Sequence, residues 1–162
     1  MHLLSILQAM ALLALANGTP VIGKKIFKSF LALPLDCGIR FFDGRPLFGP
    51  SKTIRGIILS ILVTAVGARL IGLDASVGAT AATAAMAGDL CSSFIKRRLN
   101  FAPSSQALGL DQIPESLLPL WACSTALALS IFDIALGVGL FFIGELVLSR
   151  FLYRVHLRDE PY

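Results

Sequence analysis

The sequence predicts an all-α, polytopic integral membrane protein with about five transmembrane helices and two charged cytoplasmic loops. Hydrophobic residues make up 56% of the 162-residue chain and charged residues only 15%, against about a quarter charged in soluble domains. Mean hydropathy is +0.79. A soluble fold of this size could not cover so much apolar surface, whereas a bilayer removes the need to. The apolar residues also fall in five runs, separated by polar, Gly- and Pro-rich segments. At this length the expectation is a single domain over residues 1–162.

The first run, Leu3 to Ala16, is short for the ~17–25 residues that cross a hydrocarbon core, so it must borrow flanking residues. It resembles a signal-peptide core, with Ala14-Leu15-Ala16 in the place of a cleavage site. No Lys or Arg precedes it, however, and Lys24, Lys25 and Lys28 follow closely, so a retained helix is expected. Val21 to Leu31 interleaves lysines with Ile22, Ile26, Phe27 and Phe30, the pattern of an in-plane helix at headgroup level. The second run is Gly56 to Leu73 and the third Ala75 to Ile95. The third contains ATAATAAMAG over Ala79–Gly88; small residues let helices approach closely in lipid, so this helix is expected at the centre of the bundle. Ser116 to Phe132 and Ile134 to Phe151 complete the set.

Orientation follows from the basic residues. With five crossings, Lys24, Lys25, Lys28, Arg40, Arg45, Lys52 and Arg55, then Lys96, Arg97 and Arg98, then Arg150, Arg154 and Arg158 share one side, and only Arg69 falls on the other. This places the N-terminus outside and the C-terminus inside a cytoplasmic (inner) cell membrane. The net charge of +4 is thereby explained by topology, without nucleic acid as a partner. Cys37, Cys91 and Cys123 form no CxxC pair and read as unpaired small apolar residues; His2 and His156 lie near the two ends and suggest no ligand cluster.

Three constellations carry chemistry. Asp36 to Gly56 is dense in Gly, Pro and charge and ends where the second helix begins, with Lys52, Thr53 and Arg55 at a helix N-terminus that suits phosphate. Its likeness to a Walker A loop is superficial, because the Gly spacing is wrong; the bland alternative is a positive-inside anchor with a turn. Asp89, Ser93, Lys96 and Arg97 are spaced i, i+4, i+7 and i+8, so they share one helix face. Asp89 lies about 9 Å inside the cytoplasmic end, where an isolated carboxylate costs a few kcal/mol; a metal or Lys96 could balance it, or it belongs to a structural ion pair. Gly109 to Glu115 precedes the fourth run. Read alone, Asp111 is a helix cap and Glu115 a partner of the helix dipole. Glu145 reads as structural. Two aspartates from different loops can hold Mg²⁺, which prefers oxygen ligands and a substrate phosphate, while the clustered bases can hold a polyphosphate. The reaction this suggests is attack of one phosphate on another at the bilayer surface.

Asp43-Gly44-Arg45, Gly49-Pro50-Ser51-Lys52-Thr53-Ile54-Arg55-Gly56, Gly88-Asp89 with Ser93-Phe94-Ile95-Lys96-Arg97-Arg98, and Gly109-Leu110-Asp111-Gln112 together resemble the CDP-archaeol synthase family, a branch of the membrane phosphatidate cytidylyltransferase group. The resemblance covers nearly the whole chain. It implies Mg²⁺-dependent transfer of CMP from CTP to a lipid phosphate, an unsaturated archaetidic acid, giving a CDP-lipid and pyrophosphate in phospholipid biosynthesis. It implies Asp89, Asp111 and Lys96 as catalytic residues, with Asp89 and Asp111 on the metal. Lys52, Thr53, Arg55, Arg97, Arg45 and Ser93 are then expected at the CTP phosphates, with Asp36 and Asp43 as additional acids. Departures are Gly49-Pro50-Ser51 in place of a Gly-Asp-Gly run, Ile54 in place of Trp, and Asn100 in place of Gly. They leave a diacyl acceptor open, that is, a phosphatidate cytidylyltransferase. Different in kind are a small non-enzymatic transporter or lipid-binding protein using Asp89 and Glu145, and a docking subunit; neither would release pyrophosphate from CTP. The sequence leaves a homodimer open.

Overall fold

The computed structural model describes residues 2–102 and 105–154, the last four by backbone alone. His156 and Arg158, used above, lie outside the described residues, as does the Arg154 side chain. Five helices follow in order: α1 (Leu3–Phe27), α2 (Ile54–Leu70), α3 (Ala75–Arg98), α4 (Gln112–Ala122) and α5 (Ile131–Arg154). No named strand occurs among the described residues. α1 and the Ile131–Arg150 part of α5 are long and apolar enough to cross a membrane.

The in-plane helix expected over Val21 to Leu31 is not a separate element. α1 runs without a break to Phe27, although Pro20 lies inside it. A proline removes the donor to the carbonyl four residues earlier, here Ala16. Ser60 of α2 donates to that carbonyl at 2.7 Å, so the helix loses no buried bond. Lys24 and Lys25 occupy the last turn, where cations suit the helix dipole.

The fourth apolar run also differs from expectation. Its helix starts earlier, at Gln112, and its regular part ends at Ala122, three residues past Pro119. Helix-like bonds continue (Cys123 N–H to Pro119 O, Leu127 N–H to Cys123 O) until Ala128 turns the chain at φ +50°. Leu129 N–H then reaches back to Ser124 O, a Schellman ending.

α3 packs on α1, α2 and α4. The small-residue stripe explains how closely. A Cβ at Gly78 would run into the Thr64 carbonyl of α2, and one at Gly88 into the Pro114 carbonyl of α4. Two apolar clusters hold the bundle: one around Leu12, Leu13, Ala68, Ala81, Leu120 and Phe141, the other around Ala16, Ala82, Ala85 and Met86.

Candidate active site at the charged end of the bundle

The loop before α2 is folded around Asp36. Its buried carboxylate accepts N–H groups from Gly38, Phe48 and Gly49 at 2.9 to 3.1 Å. Burial works to raise the Asp36 pKa, but these three donors outweigh it and hold the carboxyl below its ordinary 3.8. Leu35 N–H to Lys52 O and Ile54 N–H to Leu33 O then fix the strand-like approach to α2. Thr53 is the N-cap: its hydroxyl accepts from Gly56 N–H at 3.1 Å.

The rest of this loop is latched to the end of α3. Arg45 donates to the carbonyls of Arg97 and Arg98. Arg98 stacks on Phe41 and Phe94, lies 3.1 Å from Asp43 and donates to Pro46 O at 2.5 Å. Arg45, Asp43 and Asp36 therefore serve the loop's shape. Arg55 turns to α1, donating to the carbonyls of Lys28 and Phe30 and lying over the Phe27 ring.

Lys52, by contrast, reaches α3. Its Nζ lies 2.5 and 2.6 Å from the two carboxylate oxygens of Asp89. Burial works against the Lys52 charge, but Asp89 beside it, with Glu115 and Asp111 nearby, raises its pKa above the ordinary 10.5. A second pair lies one helix-face step away: Lys96 Nζ is 2.7 Å from Asp111 Oδ1 and donates to Ser105 O at 2.9 Å. Ser93, Lys96 and Arg97 are buried on the same face of α3, and Arg97 Nη2 ties to Ala102 O at 3.0 Å. Asp111 stands at the N-cap position of α4 without a side-chain capping bond to that helix; its Oδ2 instead accepts Ala107 N–H at 2.8 Å.

The structure thus gathers Lys52, Asp89, Ser93, Lys96, Arg97 and Asp111 at one end of the bundle, and leaves Thr53, Arg55, Arg45, Asp36 and Asp43 in capping and latching contacts. It adds one acid. Glu115 is buried on α4 and in side-chain contact with Asp89, with Glu145 within electrostatic range. The sequence did hold a signal: Asp111 and Glu115 are i, i+4, hence on one helix face.

Among the described residues no compact group of three or more His, Cys, Asp or Glu forms a ready-made metal cage. The donors nevertheless suit a hard cation. Asp111 Oδ1 is buried with no hydrogen-bond donor aligned on it, its lysine neighbour making a charge contact only. Carboxylates in ones and twos, completed by substrate phosphate, are the usual Mg²⁺ arrangement.

Known proteins resemble this chain over most of its length. A family model described as CarS-like, CDP-archaeol synthase, matches residues 73–162. A CDP-archaeol synthase from Pyrobaculum calidifontis is 32% identical over 155 residues, covering 91% of this chain and 90% of that one. One from Sulfurisphaera tokodaii is 31% identical, covering 80% and 81%. One from Hyperthermus butylicus is 38% identical over 68% of this chain, and the matched region spans 64% of that relative's length. A solved structure described as an intramembrane enzyme for archaeal membrane lipids biosynthesis superposes with a TM-score of 0.72 and 28% identity, over 91% of each chain. The chain belongs to the CDP-archaeol synthase family.

Proposed function

We propose that this protein is a membrane-embedded nucleotidyltransferase that transfers CMP from CTP to the phosphate of an unsaturated, ether-linked isoprenoid glycerol lipid. The observation that carries the reading is the double pairing Lys52–Asp89 and Lys96–Asp111, contributed by separate segments and meeting at one end of the bundle. Cations able to neutralise phosphate and carboxylates able to hold a divalent ion lie in one place, which supports phosphoryl chemistry between two anions.

Lys52, Lys96 and Arg97 bind and orient the triphosphate. Asp89 and Asp111 would hold Mg²⁺, which supplies neutralising charge to the phosphoryl oxygens and to the departing pyrophosphate. An oxygen of the lipid phosphate attacks the α-phosphorus, the bond from that phosphorus to the bridging oxygen of the β-phosphate breaks, and pyrophosphate leaves with the electron pair. Ser93 and Cys91 form no covalent intermediate in this scheme. Arg45, Arg98 and Asp36 keep the loop that carries Lys52 in register with α3.

The membrane arrangement that fits is five crossings, the fourth made by α4 together with the helix-like turns up to Ala128. The N-terminus is then outside, and the charged end faces the cytoplasm, where CTP is. Lipid phosphate arrives from the bilayer with its chains left in it. Purified protein given radiolabelled CTP, Mg²⁺ and a panel of ether-isoprenoid and diacyl lipid phosphates should yield a labelled CDP-lipid with the isoprenoid acceptor. Labelling of diacyl lipid in preference would overturn the acceptor. No labelled lipid from any acceptor, by folded protein, would overturn the activity.

A further inference from the structure

One buried side chain at the centre of this site has a hydrogen-bonding group with nothing to bond. Gln112 is fully buried, at 0% exposure. Its Oε1 accepts the Gly109 N–H at 2.8 Å, which fixes the orientation of the amide: were it flipped, two N–H groups would face each other. Gly109 presents that N–H from a left-handed backbone, φ +81°, that glycine adopts freely. The amide nitrogen, Nε2, then points elsewhere, and it has no acceptor. Buried donors are nearly always satisfied in native proteins, and an exception calls for a reason.

The register of α3 and α4 places this donor. Asp111 meets Lys96, while Glu115 meets Asp89 and the Pro114 carbonyl meets Gly88. Lower numbers on α4 match higher numbers on α3, so the two helices run antiparallel. Gln112 and Glu115 are both buried on α4, one turn apart, and so are Ser92 and Ser93 on the facing helix between Asp89 and Lys96. Gln112 therefore lies between the two lysine–carboxylate pairs, within a helical turn of each. A group that fits among Lys52, Lys96 and Arg97 and accepts from a neutral amide is an anionic oxygen.

We propose that Gln112 is a substrate-contacting residue whose Nε2 donates to a phosphate oxygen of the reacting pair, leaving it unpartnered until substrate binds. The proposal rests on the cytidylyltransferase reading above. Its test separates the two. Gln112→Met keeps the length and removes both the donor and the acceptor for Gly109 N–H; Gln112→Glu keeps that acceptor and puts an oxygen where the donor was. Wild type and both variants are compared by CDP-lipid formation at saturating and limiting CTP, and by thermal unfolding without substrate.

The unfolding midpoint of Gln112→Met should fall only by what Gly109 N–H loses in its acceptor, since the unsatisfied donor contributes nothing to the free fold, whereas Gln112→Glu keeps that acceptor. Activity of Gln112→Met should fall about 10- to 100-fold, the range for a hydrogen bond to a charged oxygen, and that of Gln112→Glu further. A loss in kcat places the contact at the transferring phosphoryl group, and a loss confined to KM for CTP places it on the bound triphosphate. Full activity in Gln112→Met, or wild-type activity in Gln112→Glu, which keeps the Gly109 contact and lacks the donor, overturns the role of Gln112 while leaving the reaction standing. Wild type that forms no CDP-lipid overturns the reaction itself.

Discussion

Lys52 Nζ lies almost equidistant from the two carboxylate oxygens of Asp89, at 2.6 and 2.5 Å, although the residues are 37 apart in sequence. The contact joins the loop before α2 to the middle of α3 and sets the polarity of the site. Glu115 adds a second carboxyl beside Asp89, so Lys52 is the cation that lets two acids share the space.

Asp89→Asn keeps the shape and removes the charge. It should lower kcat/KM for CTP by about a thousandfold or more, the scale of a lost metal carboxylate, with the protein still folded in the membrane. Incorporation of CMP near the wild-type rate would remove Asp89 from the chemistry.

Lys52 has a pKa raised above 10.5 in the fold. A raised lysine stabilises fully below its unfolded value, and the contribution is lost as pH rises through the folded value. The stability difference between wild type and Lys52→Met should therefore stay constant from neutral pH up to about 10 and shrink only beyond it. Thermal unfolding of both proteins across that range measures it; a difference that already shrinks between pH 7 and 9 contradicts the pairing.

Asp36 works in the opposite sense. Its carboxyl is held below 3.8, so its contribution is complete at neutral pH and is lost as pH falls through the folded value. Asp36→Ala leaves three loop N–H groups without their acceptor, about 1–3 kcal/mol for each that stays buried. Hydrogen exchange at Gly38, Phe48 and Gly49 should accelerate together in this variant, and CDP-lipid formation should fall because Lys52 is carried by the same loop. Unchanged exchange at all three amides would contradict the role of Asp36.

Gly88→Ala places a methyl group against the Pro114 carbonyl and Glu115 N. Overpacking of this kind costs about 1–3 kcal/mol. Gly144→Ala and Gly139→Ala on α5 have open space and serve as controls; there alanine should be neutral or slightly stabilising, by helix propensity. Thermal unfolding should rank Gly88→Ala clearly below both.

Much of the helix order could be read in advance, because apolar runs and basic flanks are local properties of the chain. The ends could not. α1 passes Pro20 only because Ser60 supplies a donor from another helix, which no local pattern states. The face formed by Ser93, Lys96 and Arg97 followed from helical periodicity. The family resemblance implies Arg45 and Arg55 at the phosphates; in the free fold both turn to carbonyls at helix C-termini, which compete for the same cations. The substitution of Asn100 for the glycine of the family pattern has a backbone reason. Asn100 sits at φ +64° where α3 ends, with Phe101 N–H returning to Lys96 O, and asparagine is the residue that best replaces glycine there.

The four-residue turn between α2 and α3, Ile71 to Asp74, has a bearing on biogenesis. In the five-crossing arrangement proposed above, Asp89 entering lipid on α3 alone would face about 2.5–3.5 kcal/mol on insertion scales. The short turn makes α2 and α3 a hairpin, and the hairpin brings Lys52 at its start to Asp89 near its end. In that arrangement the two helices would leave the translocation machinery as one unit already carrying its counter-charge, so that the residues proposed for catalysis would also ease the chain's entry into the membrane.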